Sequence, residues 1–257
     1  MNFTLENLEY DLMVLVRISC FVMTAPFFSY RSIPNRMKAA ISVLLSIVVL
    51  FAVPAVPLRY MGILGFSLLI GKEALIGAVL GLMCSLCFYI VGLAGQIMDM
   101  EMGLSMANMY DPTSNIQVTV TGNIYNYYLM LMLVVTNMHY YIIRAITDSF
   151  RYFNVGEAIV RTDVLKNLIV DFMANYFLIA VRIVLPVFCC MLMINVILGV
   201  LTKAAPQMNM FAVGIQIKVV VGIIILILLV QTLPTVSDFI FQEMKEVITN
   251  VVHSFSP

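Results

Sequence analysis

The sequence has 257 residues, of which 62% are hydrophobic and 11% are charged, and its formal net charge is zero. Soluble domains carry about 25% charged residues, so this composition excludes an ordinary water-soluble protein and predicts an integral membrane protein. The zero net charge argues against a dedicated nucleic-acid-binding or polybasic lipid-binding surface. The opening "MNFTLENLEYD" has no basic residue, so we expect no cleavable signal peptide.

Apolar segments lie at residues 12–29, 38–57, 62–98, 121–143, 167–201 and 212–233. A polar, amphipathic tail follows the last of them. The third and fifth segments, at about 35 residues each, are too long for one straight span of a ~30 Å hydrocarbon core. We therefore predict an all-α membrane protein whose long helices break at Pro186 or at glycines. The glycines of the third segment are Gly71, Gly77, Gly81, Gly92 and Gly95.

Lysine and arginine do not define a consistent orientation in the membrane. The first loop, with Arg31, Arg36 and Lys38, has the charge of a cytoplasmic loop. Alternation from there places the region 144–166 outside, against the positive-inside rule. Either one long segment is a hairpin, or the chain is not threaded as an ordinary polytopic protein.

Several charged side chains lie inside apolar segments, where each costs several kcal/mol unless it faces protein or water. Lys72 and Glu73 are adjacent and point in different directions on a helix, so their partners must come from other helices or other chains. Structural ion pairing is the alternative to a functional role for each charge. We predict polar contacts between helices or subunits for Arg17, Glu73, Asp99, Arg182, Asn209 and Lys218.

The segment "APQMNMFAVG" predicts a helix break followed by a new helix. Pro206 disfavours helical backbone at Ala205, and Asn209 is suited to cap a helix that begins near Phe211. No catalytic motif accounts for polar residues at this break, so we expect this turn to contact partner subunits.

No motif indicates metal binding or catalysis. Cys84 and Cys87 have the spacing of half a metal site, but no second pair exists, and His139 and His253 are the only histidines. The cysteines are best read as small apolar packing residues. Glycine-rich phosphate loops, paired histidines and Gly-x-Ser-x-Gly are absent. We expect no enzyme activity, no metal and no cofactor.

The loop "MGLSMANMYDPTSNIQV", residues 102–118, separates two apolar segments and has no lysine or arginine. Loops between membrane segments are normally charged, whereas this one consists mainly of small residues, amides and methionines, with one Asp-Pro pair at Asp111 and Pro112. Composition alone is also compatible with an ordinary connecting or re-entrant loop.

Four stretches, in this order, resemble the FliR family of flagellar export-gate proteins and its counterparts in virulence type III secretion. They are "RISCFVMTAPFFSYRSIPNRMKAAIS", "KEALIGAVLG", "AGQIMDMEMGLSMANMYDP" and "LGVLTKAAPQMNMFAVGIQIK". A smaller echo includes Ser149 and Phe150, and the resemblance covers nearly the whole chain. One departure is "YFNVGE", residues 152–157, where the family commonly has a proline before the glycine.

The resemblance implies a FliP-like helical part at residues 1–165 and a FliQ-like helical hairpin with an amphipathic tail at 166–257. It implies a non-enzymatic subunit of the closed export channel in the bacterial inner membrane, within the flagellar basal body. The implied partners are FliP-like and FliQ-like subunits, FlhB/FlhA-like export components and unfolded exported proteins, with no nucleic acid. The alternatives are a virulence counterpart and, less favoured, a secondary transporter, which would show inverted repeats.

The resemblance also implies that the loop at 102–118 enters the pore and plugs it. Small residues permit close backbone contact, and flexible methionines conform to an irregular wall. Fixed charges would keep such a loop too well solvated to seal, and Pro112 limits helix formation before it. The predicted plug residues are Met102, Gly103, Ser105, Met106, Ala107, Met109, Asp111 and Pro112.

Overall fold

A computed structural model describes residues 5–29, 33–53, 56, 58, 60, 62–105, 119–159, 161–205, 207 and 210–255. This part of the chain consists of helices, turns and short connections, without a strand. The helices are Leu5–Thr24 (α1), Asn35–Ala52 (α2), Gly62–Met102 (α3), Val120–Val135 (α4), Met138–Tyr152 (α5), Thr162–Ala204 (α6), Met210–Leu229 (α7) and Leu233–Phe255 (α8). A short 3-10 helix, Val230–Thr232, joins α7 to α8.

The helices confirm the predicted all-α membrane class. In the described residues, four stretches are long and apolar enough to cross a membrane: α2, α3, α6 and Val213–Phe255. The bent pair α4 and α5 makes a fifth if it is counted as one span. At 1.5 Å per residue, the 41 residues of α3 and the 43 residues of α6 each extend roughly 60 Å, about twice the hydrocarbon thickness.

The breaks do not lie where the sequence predicted them. The α6 helix continues through Pro186, and α3 continues through all of its glycines. Pro186 removes one backbone donor, which the surrounding turns of a 43-residue helix tolerate. A sharp bend of 72° separates α4 from α5 instead. It lies at Asn137, which has a left-handed backbone with φ of 59°.

The predicted break after the sixth helix is present. The α6 helix ends at Ala204 and α7 begins at Met210, close to the expected start at Phe211. Asn209, the predicted cap, lies outside the described residues. The backbone N–H of Ala205 still donates to the oxygen of Leu201 at 2.9 Å, so the helical hydrogen-bond pattern includes Ala205.

The chain divides into two compact units. Unit 1 comprises Met1–Cys87, Leu133–Met173 and Phe241–Pro257, and unit 2 comprises Phe88–Met132 and Ala174–Ile240. The predicted division into 1–165 and 166–257 concerns the likeness of each part to other export subunits and stays a prediction.

Glycines allow α1 and α3 of unit 1 to touch along their backbones. A methyl group on Gly77 would overlap the backbone oxygen of Arg17, and one on Gly81 would lie 2.8 Å from the oxygen of Phe21. The hydroxyl of Ser85 donates to the backbone oxygen of Thr24. The glycines of α3 therefore serve close packing, which explains why they do not break the helix.

We expect Gly77→Ala to lower the stability of the folded chain by about 2–3 kcal/mol, because the new methyl group meets a backbone oxygen that cannot rotate away. Gly71→Ala is the matched control, since no atom lies within 4 Å of its added methyl group. Alanine at position 71 should be neutral or stabilising by up to about 1 kcal/mol. Thermal unfolding in detergent measures both, and equal melting temperatures would contradict the contact.

Candidate functional site

An ion pair is enclosed within unit 1. Arg17 of α1 and Glu73 of α3 have no exposed side-chain surface, and Arg17 Nε lies 2.5 Å from Glu73 Oε2. Gly77, one turn beyond Glu73, brings the two backbones close enough for this contact. Both residues were predicted to make polar contacts, and the structure brings them together across 56 positions of sequence.

Further groups surround the two charges. Arg17 Nη1 donates to Ser149 Oγ at 3.3 Å, and its guanidinium carbon lies 4.0 Å from the ring centre of Phe150 and 4.7 Å from that of Phe153. The second carboxylate oxygen of Glu73 accepts from the backbone N–H of Gly156 at 2.9 Å. The pair thus joins α1, α3 and α5 to the turn at Gly156, whose φ of +84° favours glycine.

Two buried donors at this cluster have no hydrogen-bond partner in the described part of the chain. They are Arg17 Nη2 and the hydroxyl of Tyr10. Burial raises the pKa of Tyr10, so this hydroxyl carries its proton at neutral pH. Sequence reasoning did not identify the contacts of Ser149, Phe150 and Gly156 with the pair. The available signal was the place of Ser149 and Phe150 in the smaller echo of the FliR family.

A second cluster, which we call the neck, consists of Gly95 and Asp99 of α3 with Thr121 and Gly122 of α4, all in unit 2. The backbone N–H of Thr121 donates to both carboxylate oxygens of Asp99, at 3.2 and 3.3 Å, and the Thr121 hydroxyl also donates to Asp99. Asp99 is buried and satisfies donors at the first turn of α4, where negative charge is favoured.

The neck is also closed sterically. A methyl group on Gly95 would overlap the Cα atom of Gly122 and lie 3.1 Å from the carbonyl carbon of Thr121. The backbones of α3 and α4 are therefore in direct contact within the last turns of α3 and the first turn of α4. Any side chain larger than hydrogen at Gly95 would force the two helices apart.

The start of the predicted plug is held within unit 2. Met102 is fully buried, and a methyl group on Gly222 of α7 would lie 2.5 Å from its sulfur. Gly103 has a left-handed backbone with φ of +81°, which ends α3. Ser105 is the last described residue before the gap. The other predicted plug residues, Met106, Ala107, Met109, Asp111 and Pro112, lie outside the described residues.

The remaining predicted contact residues differ in their surroundings. Arg182 of α6 is exposed and Lys218 of α7 is half-buried. Neither has a hydrogen bond or an ion pair with a residue that the structure describes. Cys84 and Cys87 are buried and form no disulfide. No group of three or more potential metal ligands occurs in the described ranges.

The sequence profile of the bacterial export proteins, family 1, matches residues 10–244. The flagellar biosynthetic protein FliR of Pectobacterium carotovorum subsp. carotovorum is 30% identical over 94% of this chain and 92% of its own. The FliR proteins of Bacillus subtilis (strain 168) and Escherichia coli (strain K12) are 29% and 26% identical, over 98% and 93% of this chain and 98% and 90% of their own.

These matches cover both units and the whole order of helices. They confirm the resemblance on which the sequence analysis relied. Membership of this family indicates a membrane component of a bacterial export apparatus. The chain belongs to family 1 of the bacterial export proteins, the FliR family.

Proposed function

We propose that this chain is a non-enzymatic subunit of the flagellar type III protein export gate. It helps to form the closed channel through which unfolded flagellar substrates cross the bacterial inner membrane, and residues 102–118 plug that channel. The observation that carries the proposal is the neck. Its four residues hold the end of α3 against the start of α4, so the segment from 103 to 119 leaves and re-enters the helices at one place.

Such an arrangement suits a removable seal. A removable seal needs fixed ends, and Asp99 and the paired glycines hold the end of α3 against the start of α4. Met102 and Gly103 add an anchor and a left-handed turn at the entry to the segment. The composition that follows, with two methionines and Asp111 as its single charged side chain, fits a lumen from which water and ions are largely excluded.

The surfaces of the long helices support a role as one subunit among several. In the most apolar window of α6 only 17% of the residues are buried, and in that of Val213–Phe255 only 11%. Lipid or other chains must cover the rest. We propose FliP-like and FliQ-like subunits and FlhB/FlhA-like components as those chains, within the flagellar basal body. The flagellar names of the relatives favour this system over the virulence counterpart.

The neck provides a direct test of the plug. Replacing Asp99 with alanine removes a helix cap worth about 1 kcal/mol. If the closed segment requires a tight neck, states in which the neck has loosened and the seal is out of place should become roughly fivefold more populated. We expect assembly to be preserved and ion leakage to rise by a similar factor. Membrane conductance, or growth under salt stress, of cells with the assembled complex measures this.

Glu101→Ala is the matched control, since it removes a carboxylate two positions away that does not cap α4. Its leakage should equal that of the parent. If Asp99→Ala assembles, exports substrate normally and leaks no more than Glu101→Ala, the segment is a connector and the plug proposal is wrong.

A further inference from the structure

An open groove lies within unit 2 between α6 and the first turns of α8. Its volume is about 270 Å³, and its lining residues are Ile179, Arg182, Ile183, Thr235, Val236 and Phe239. Ile179 is buried in a small apolar core against which Ile183 and Phe239 pack. The groove therefore has an apolar floor, with the exposed side chains of Arg182 and Thr235 at its rim.

Arg182 is the only charged side chain between Asp171 and Lys203. It is exposed, and it forms no hydrogen bond or ion pair with a residue in the described ranges. Large apolar side chains are exposed on both sides of it along α6, among them Phe177 and Leu178 before it and Leu185 and Leu192 after it. An unpaired arginine among such residues is costly in lipid, and the exposed apolar side chains around it are costly in water, so an anionic protein partner suits this position best.

The exposed apolar side chains before and after Arg182 on α6, which we call its flanks, favour a protein over a lipid as that partner. A lipid headgroup could reach Arg182 only if this level of α6 lay at the membrane surface. One of the two apolar flanks would then lie in water, at the expense of the hydrophobic effect. A partner helix along α6 covers both flanks at once and can present a carboxylate at the level of Arg182.

We propose that this groove receives an apolar helix of another protein of the export apparatus, and that an aspartate or glutamate on that helix pairs with Arg182. This inference rests on the proposed function, because it needs an assembly with other membrane subunits. A groove between two helices accepts the side-chain ridge of a third. The guanidinium supplies parallel donors that a carboxylate can accept, so the pair sets the register of the docked helix.

One carboxylate of this chain is next in sequence to a residue that lines the groove. Asp238 precedes Phe239 on α8, is exposed and does not line the groove. Adjacent residues on a helix point about 100° apart, so Asp238 faces away from the wall that Phe239 forms. Pairing of Arg182 with Asp238 after assembly is the intramolecular alternative that the experiment must separate.

The test uses the full-length, affinity-tagged chain in cells that make the whole apparatus, with the photoreactive residue p-benzoylphenylalanine in place of Thr235. We expect a cross-link to a different membrane protein, at a peptide from an apolar helix that contains Asp or Glu. Its yield should fall at least tenfold in Arg182→Met and remain within threefold in Arg182→Lys. Lys203→Met, which removes a charge from α6 outside the groove, is the matched control and should leave the yield unchanged.

If Arg182→Met fails to insert, neutralising the carboxylate of the cross-linked partner tests the pair without changing this chain, and the cross-link should be lost. Cross-links only to lipid or to a second copy of this chain would overturn the inference. The inference would also be wrong if Arg182→Met left the cross-link yield unchanged, or if Arg182→Lys lowered the yield as much as Arg182→Met. A cross-linked partner peptide without a carboxylate would contradict it as well. Loss of the cross-link in Asp238→Asn would show that Asp238 is the partner of Arg182. If Asp99→Ala leaks but the expected cross-link is absent, the proposed helix in the groove is wrong and the proposed plug is still supported.

Discussion

Replacing Arg17 with methionine should remove most of the folded protein from the membrane. The carboxyl group of Glu73 would stay in a fully buried position and lose the guanidinium that lies 2.5 Å from it. Breaking a buried ion pair by removing one partner costs about 3–5 kcal/mol, which is a large part of the stability of a typical protein. Glu73→Gln should have an effect of similar size, because it leaves Arg17 as the uncompensated charge. The protease-resistant, membrane-inserted fraction and the melting temperature in detergent measure the loss.

Two further variants show whether the buried charge is the cause. The double variant Arg17→Met with Glu73→Met should recover much of the loss, since a buried pair can be replaced by apolar side chains of similar size. It should not recover all of it, because the backbone N–H of Gly156 loses its acceptor. Asp148→Asn breaks the exposed contacts with Arg144 and Arg151 and should cost less than about 1 kcal/mol. Equal melting temperatures for Arg17→Met and Asp148→Asn would refute the argument.

Deleting residues 107–111 should leave assembly largely intact and raise ion leakage on the order of tenfold, because it removes the seal instead of shifting its population. The neck and the buried Met102 lie outside the deleted residues and continue to hold α3 and α4. The leak should therefore exceed that of Asp99→Ala. Co-purification with the partner subunits measures assembly, and conductance of the same membranes measures leakage.

Substituting Met106 and Met109 with serine provides a milder change of the same segment. Polar side chains pack less well and admit water, so a smaller leak is expected. Leakage should increase from the parent to the serine variant and again to the deletion. A deletion variant that assembles, exports substrate and leaks no more than the parent would reduce residues 102–118 to a connector.

The sequence by itself determined the membrane class, the helical architecture and the family. In lipid, a long apolar run with few charges can satisfy the hydrogen bonds of its own backbone only as a helix. The segments that form α3 and α6 were therefore recognisable as helices from composition and length. The end of α6 near Pro206 was also predictable, because proline acts on its immediate neighbour in sequence. These are local effects, and local sequence records them.

Only the tertiary structure decided where the chain bends, which glycines serve close packing and which charges meet. Gly77 and Gly95 allow close approach between helices because a backbone from elsewhere in the sequence lies against each. The bend falls at Asn137, where sequence analysis predicted no break. Arg17 and Glu73 were each recognisable as costly in lipid, but their pairing depends on the packing of α1 against α3. Packing between distant segments is set by side-chain shape and by the contact of whole helices, which no local pattern specifies.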